Sequence, residues 1–191
     1  MKKILTLAII LGLFTTGLSA EKKLISFSAG LSTGIPIYNS ETITNNTSEW
    51  ESSTRLVIGT FAYVNLNLIE YASIYSGVNF LSDFNWTEND LYANHLHLDF
   101  PLGLRLSPGL EGFSFGTAYL LGFRSDFYNN LDDEKSSSMT AWGNGFQFFA
   151  EYDFSYHGST FLPLVGISWG LIPRGNYEYD NLLNLYLGIT F

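Results

Sequence analysis

Two histidines two residues apart, His95 and His97, are followed at the same spacing by Asp99. On a strand the three share one face, because successive side chains alternate, and the histidines stand roughly 7 Å apart. Imidazole and carboxylate together are the donors a metal site uses. No CxxC or HExxH spacing accompanies them and no convincing third ligand follows, so the trio is expected to line an interior, with no metal and no cofactor. Nucleophilic catalysis would need a nucleophile held within hydrogen-bond reach of a base. His157 and Ser159 are neighbours in a short connection, and Ser82 and Asp83 lie one segment before His95. Neither set assembles a nucleophile, a base and an orienting acid, so no catalytic residue is assigned and the chain is not expected to be an enzyme.

Charged groups with a different prospect are Arg105, Arg124, Asp126 and Glu151. Each shares a strand face with small and polar residues, opposite a row of apolar ones. Charges on such an inner face must pair, since burial costs several kcal/mol per ion. The expectation is an interior polar network of His95, His97, Asp99, Arg105, Arg124, Asp126 and Glu151, with Arg105–Glu151 as its leading pair. Packing is the favoured role for this network, and gating of ion flow the alternative.

The elements that position these groups are strands. Asn94 to Leu106 sets Leu96, Leu98, Phe100, Leu102, Leu104 and Leu106 against His95, His97, Asp99, Pro101, Gly103 and Arg105. Such a period of two is the signature of a strand with one apolar face. Seven further segments read the same way: about Leu24 to Ile35, Thr54 to Leu66, Ala72 to Asn85, Phe113 to Phe127, Thr140 to Phe154, Thr160 to Ile172 and Tyr179 to Phe191. The inward or outward phase of the second, third and seventh stays open, and no segment shows sustained helical periodicity. Connections are expected to alternate long and short. Ile37 to Ser53 and Asn129 to Ser138 are the long polar ones, and Asn67 to Tyr71, Ser107 to Gly112 and Ser155 to Ser159 the short ones. Aromatics crowd both ends, with Trp86, Tyr92, Phe127, Tyr128, Trp142, Tyr177 and Tyr179 near the long loops. Tyr71, Phe113, Phe115, Tyr152, Phe154, Tyr156, Phe161 and Phe191 sit near the short turns. Two such belts suit the two interfaces of a membrane.

Composition agrees. Aromatics are 17% of the 191 residues and charged residues only 14%. Met1-Lys2-Lys3, an apolar run from Ile4 to Leu13 and the small residues of Leu18-Ser19-Ala20 read as a secretory signal peptide over 1–20, leaving 21–191 as one barrel domain. There is no cysteine, so neither disulfide nor lipid-anchored thiol is expected. Without Lys2 and Lys3 the chain has 7 basic against 18 acidic residues, a net charge of −11. Nucleic acid binding needs a basic footprint and is excluded on that ground. A soluble barrel would turn its apolar rows inward, where Leu and Phe from every strand would overfill an eight-stranded lumen.

On these residues the chain resembles the small outer-membrane barrels of the OmpX, OmpA-transmembrane-domain and opacity-protein type, with OmpW-like proteins as neighbours. The resemblance spans 21–191 and rests on strand count, loop alternation, aromatic belts and the ending at Phe191. It implies an all-β fold, an eight-stranded antiparallel up-and-down transmembrane β-barrel in the outer membrane. It also implies that Leu185, Leu187, Ile189 and Phe191 form an assembly signal, although many relatives carry Tyr where this chain has Ile189. The implied partners are outer-membrane lipid and lipopolysaccharide-type glycolipid, periplasmic chaperones, the barrel-insertion machinery and host or cell-surface ligands, with a monomer as the expected state.

Eight strands leave a lumen that side chains fill, so an open aqueous pore is not expected. The expected function is a structural, adhesive or surface-interaction role through extracellular loops. Asp132, Asp133 and Glu134 are the candidate binding residues, with a bridging cation as one ligand. The alternatives are a narrow channel for small or apolar solutes and, further off, a lipid A-modifying enzyme.

Overall fold

The alternating segments close into a barrel in the computed structural model. The structure describes residues 24–47, 53–69, 71–87, 91–108, 112–129, 137–154, 163–175 and 177–191. The export segment expected at 1–20, the loop acids Asp132, Asp133 and Glu134, the His157/Ser159 turn, and Tyr156 and Phe161 lie outside the described residues. The eight strands are β1 (Ile25–Asn39), β2 (Thr54–Ile69), β3 (Ala72–Trp86), β4 (Tyr92–Leu106), β5 (Phe113–Asn129), β6 (Ser137–Asp153), β7 (Leu164–Gly175) and β8 (Glu178–Thr190). Each pairs antiparallel with its neighbours in chain order, and β1 pairs with β8 from Ser28↔Thr190 to Asn39↔Tyr179. The final residue completes the closure, with Phe191 N donating to Phe27 O at 2.8 Å. This is the predicted eight-stranded antiparallel fold.

Alternation sorts the wall into two faces. Leu98, Phe100, Leu102 and Leu104 on β4 and Leu183, Leu185, Leu187 and Ile189 on β8 point outward, while His95, His97, Asp99, Arg124, Glu151 and Asp180 are buried inside. Burial settles the phase of β2, β3 and β7. On β2 the inward row is Arg55, Val57, Phe61, Tyr63 and Asn65. On β3 it holds Ser73, Tyr75, Leu81 and Asp83, and on β7 Leu164, Ser168, Ile172 and Arg174.

Four expectations change. The first loop contains a short helix, α1 (Glu41–Thr47). Ser40 caps it, its Oγ accepting from Ile43 N at 3.3 Å and its carbonyl from Thr44 N at 3.0 Å. Seven residues, about two helical turns, are too few to show a period, which is why the sequence hides it. Tyr128 is buried rather than part of the outer belt, because it shares the inward parity of Arg124 and Asp126. β7 starts at Leu164 and runs on through Pro173 to Gly175, so that the β6–β7 connection spans 154–163 and β7–β8 only 176–177. Loop lengths therefore do not alternate cleanly. The tight β7–β8 turn is made by positive φ at Gly175 (84°) and Tyr177 (64°).

Two ladders stop short of a proline, although others run through one, as Pro36↔Leu182 and Pro101↔Leu120 do. β1 and β2 pair only as far as Ser32↔Gly59, and β6 and β7 only as far as Phe146↔Leu171. Continuing each register puts Pro36 opposite Arg55 and Pro173 opposite Asn144. A proline has no N–H to give its partner. Across the β1–β2 gap side chains substitute: Thr33 Oγ1 donates to Val57 O and Arg55 Nη2 to Pro36 O, both at 2.7 Å.

Candidate functional site

Inward side chains stack in three layers down the barrel. The layer toward the long loops is ionic. Asp180 on β8, fully buried, accepts from Arg124 Nη1 of β5 and from Arg174 Nε of β7 at 2.6 Å. Arg124 Nε also donates to both oxygens of Asp126, at 2.9 and 3.0 Å, and Asp126 Oδ1 is 2.7 Å from His95 Nδ1. Arg174 Nη2 reaches Asp99 Oδ1 and His97 Nδ1, both at 3.3 Å. A guanidinium only donates, so His97 accepts at Nδ1 and carries its proton on Nε2. That N–H faces the Tyr38 oxygen at 3.1 Å, and Tyr38 in turn donates to Asp83 Oδ2 at 2.8 Å. Arg55 closes the chain, with Nε and Nη2 on Asp83 at 2.7 and 2.6 Å. Arg124 also lies over the Tyr38 ring, 5.3 Å from its centroid.

Below this lies an apolar layer of Val57, Leu81, Leu120, Ile172 and Leu182. The third layer is aromatic with one ion pair. Arg105 Nε lies 2.8 Å from Glu151 Oε1, its Nη1 donates to Asn65 Oδ1 at 2.9 Å, and Tyr186 OH donates to Glu151 Oε2 at 2.8 Å. Tyr75 and Phe149 meet edge to face, ring centroids 5.4 Å apart, and Arg105 covers both rings. A cavity of about 30 Å³ between Asn79, Asp99, Gln147, Ser168 and Asn184 is too small for a solute. A vestibule of about 160 Å³ at the short-turn end stops at Arg105 and Glu151.

All seven sequence-selected interior residues face the lumen, but in two groups. His95, His97, Asp99, Arg124 and Asp126 belong to the upper ionic layer, and Arg105 and Glu151 form the lower pair. Tyr38, Arg55, Asp83, Arg174, Glu178 and Asp180 join them and were not selected. Tyr38 and Arg174 read as loop residues, and Arg55 and Asp83 lay on strands of open phase. Asp180 shares the parity of Asn184 and Tyr186, a signal strong enough to have found it. The Ser82/Asp83/His95 set does not assemble. Ser82 Oγ donates outward to Asn94 Oδ1 at 2.8 Å, while Asp83 is engaged by Arg55 and Tyr38. Among the described residues no group of three His, Asp or Glu side chains is placed to hold a metal ion.

No protein family and no curated protein matches the chain in sequence. Solved structures match it in shape. Ail, the attachment invasion locus protein of Yersinia pestis, crystallised with the heparin analogue sucrose octasulfate, superposes with a TM-score of 0.61 at 8% identity, over 87% of this chain and 97% of Ail. Neisserial surface protein A gives a TM-score of 0.53 at 10% identity, over 88% of this chain and 98% of that one. At such identities the likeness is one of fold: a small closed eight-stranded barrel.

Proposed function

We propose that the chain is an integral outer-membrane barrel that presents its long loops at the cell surface and conducts no solute. The observation that carries this reading is inverted amphipathy. Exposed rows such as Phe100, Leu102 and Leu104 or Leu183, Leu185 and Leu187 cover the outside, while ions and amides fill the inside. In water such a surface would aggregate, whereas in a bilayer it is the stable arrangement. Strands of 12 to 17 residues exceed the 9–11 a bilayer requires, so the wall carries its loops beyond the lipid. Outer-membrane lipid, lipopolysaccharide-type glycolipid, chaperones and the insertion machinery are the matching partners. Leu185, Leu187, Ile189 and Phe191 would serve as the assembly signal.

The likeness to Ail, by its name an attachment protein, favours a surface-interaction role, but charge argues for a different ligand class. After residue 23 the basic residues are Arg55, Arg105, Arg124, Lys135 and Arg174. The four arginines are committed to the interior network. Glu41, Glu49, Glu51, Glu88, Asp90, Asp132, Asp133 and Glu134 leave the long loops acidic, so a basic or neutral ligand fits them better than a sulfated polyanion.

Cell fractionation with gel mobility of unheated and boiled protein tests the barrel. A heat-modifiable band in outer membranes is expected, and recovery in the soluble periplasm would overturn the reading. Planar-bilayer recordings should show no conductance. Cells carrying loop-deleted protein should bind less host material than wild type, and equal binding would sink the adhesive role.

A further inference from the structure

Carboxylates outnumber cations in the upper ionic layer. Asp83, Asp99, Asp126 and Asp180 are buried there, with Glu178 at the rim, against Arg55, Arg124 and Arg174. His97 is neutral by its hydrogen bonds, and even a proton on His95 leaves one carboxylate over. The excess falls on Asp99. Arg55 holds Asp83 with two nitrogens, Arg124 spans both oxygens of Asp126, and Asp180 lies between two guanidiniums. Asp99 is 3% exposed and takes one hydrogen bond among the described residues, from Arg174 Nη2 at 3.3 Å. A carboxylate so deeply buried is stable only when paired and fully hydrogen-bonded. Asp99 borders the cavity of about 30 Å³, whose wall carries no cationic side chain and no other charge. Asn184 Oδ1, also on that wall, is shut off from solvent and has no hydrogen-bond partner. Gln147 and Ser168 are buried there too, with no side-chain hydrogen bond among the described residues. Asn79 Oδ1 accepts from Tyr63 OH and keeps a second lone pair.

We infer that this cavity binds one monovalent cation of sodium's size, with the Asp99 carboxylate as its counter-charge and oxygens of Asn79, Asn184, Gln147 and Ser168 around it. Carboxylate, amide and hydroxyl oxygens are the donors of a hard cation, and one carboxylate balances one positive charge. A transition metal would need the imidazoles, but His95 is turned to Asp126 and His97 to Arg174 and Tyr38. The His95, His97 and Asp99 trio therefore supplies one ligand rather than three. The volume exceeds the roughly 10–15 Å³ that one water-sized occupant needs. Water alone would satisfy the amides and leave the charge uncompensated. Asn79 and Asp99 face each other across β3 and β4, and Ser168 and Asn184 across β7 and β8. An ion between these two pairs ties opposite walls of the barrel together, so its binding adds to the stability of the closed fold.

The test is urea titration of full-length protein refolded into vesicles of neutral phospholipid, with sodium chloride replaced by choline chloride at equal ionic strength. An ion bound only by the folded state multiplies the folding constant by one plus its concentration over its Kd. The constant should rise at least about tenfold as sodium goes from about 1 mM to about 1 M, while choline, too large for the cavity, has no such effect. Asp99→Asn should abolish the sodium dependence, and Asn184→Leu and Gln147→Leu should weaken it. Glu41→Gln, an exposed carboxylate on α1, should leave it unchanged. Gel mobility of unheated protein shows which variants close, and if Asp99→Asn does not, Asn184→Leu decides. Equal folding constants in the two salts, the result a protonated Asp99 would give, would overturn the inference. So would an undiminished response to sodium in folded Asp99→Asn or Asn184→Leu.

Discussion

Asp180→Asn is the most informative single change in the barrel. The carboxylate is fully buried and takes hydrogen bonds from two guanidiniums, Arg124 of β5 and Arg174 of β7. Breaking a buried pair by removing one member costs about 3–5 kcal/mol, because the remaining charge stays desolvated. Here both arginines keep other anions, Arg124 holding Asp126 and Glu178 and Arg174 holding Asp99. The cost should therefore fall at the lower end, about 3 kcal/mol, or roughly two orders of magnitude in the folding equilibrium. Urea titration of purified full-length protein refolded into lipid vesicles, followed by tryptophan fluorescence, measures it. Arg174→Met alone should cost a similar amount. The double variant should cost little more than either single one, since groups in one network are not additive. A loss below about 1 kcal/mol for Asp180→Asn, or a double variant equal to the sum of the singles, would show that the ionic layer is not a coupled unit.

Three further outcomes are expected in the same titration. Leu102→Arg should cost about 2–4 kcal/mol if its exposed side chain faces lipid, while Asn129→Arg at the rim should cost under about 0.5. Equal, small effects would mean that the outer face meets water. Gly166→Ala should cost about 1–3 kcal/mol, because a methyl there collides with the Tyr186 ring and dislodges its hydroxyl from Glu151. Gly170→Ala has open contact, its nearest neighbour Leu120 Cδ1 at 3.6 Å, and should be nearly neutral. Tyr177→Gly should stabilise by about 0.5–1 kcal/mol, since Tyr177 sits at φ 64° in an exposed turn. No gain in the urea midpoint would show that the strain at Tyr177 is relieved by its neighbours.

Interior chemistry was legible wherever the two strand faces differ. On β4 leucines alternate with histidine, aspartate and arginine, so the alternation itself puts His95, His97, Asp99 and Arg105 on the inner face. Arg55 escaped because Leu56 and Ile58 alternate with the equally apolar Val57 and Phe61. Tyr38 and Arg174 escaped for another reason. Pro36 and Pro173 read as strand ends, yet an extended strand passes through a proline at the loss of one hydrogen bond. The helix at Glu41–Thr47 left no trace beyond its cap at Ser40.

Sequence by itself determined the strand class, the number of strands and, on five of them, which side chains face inward. That information is local, since a period of two is written in neighbouring residues and survives whatever the chain does elsewhere. Tertiary structure alone decided who meets whom across the lumen. Arg124 and Asp180 are 56 residues apart, and Tyr38 and Asp83 come from strands that are not neighbours. Their encounter depends on the stagger with which β1 closes onto β8, a property of the whole barrel that no single strand encodes.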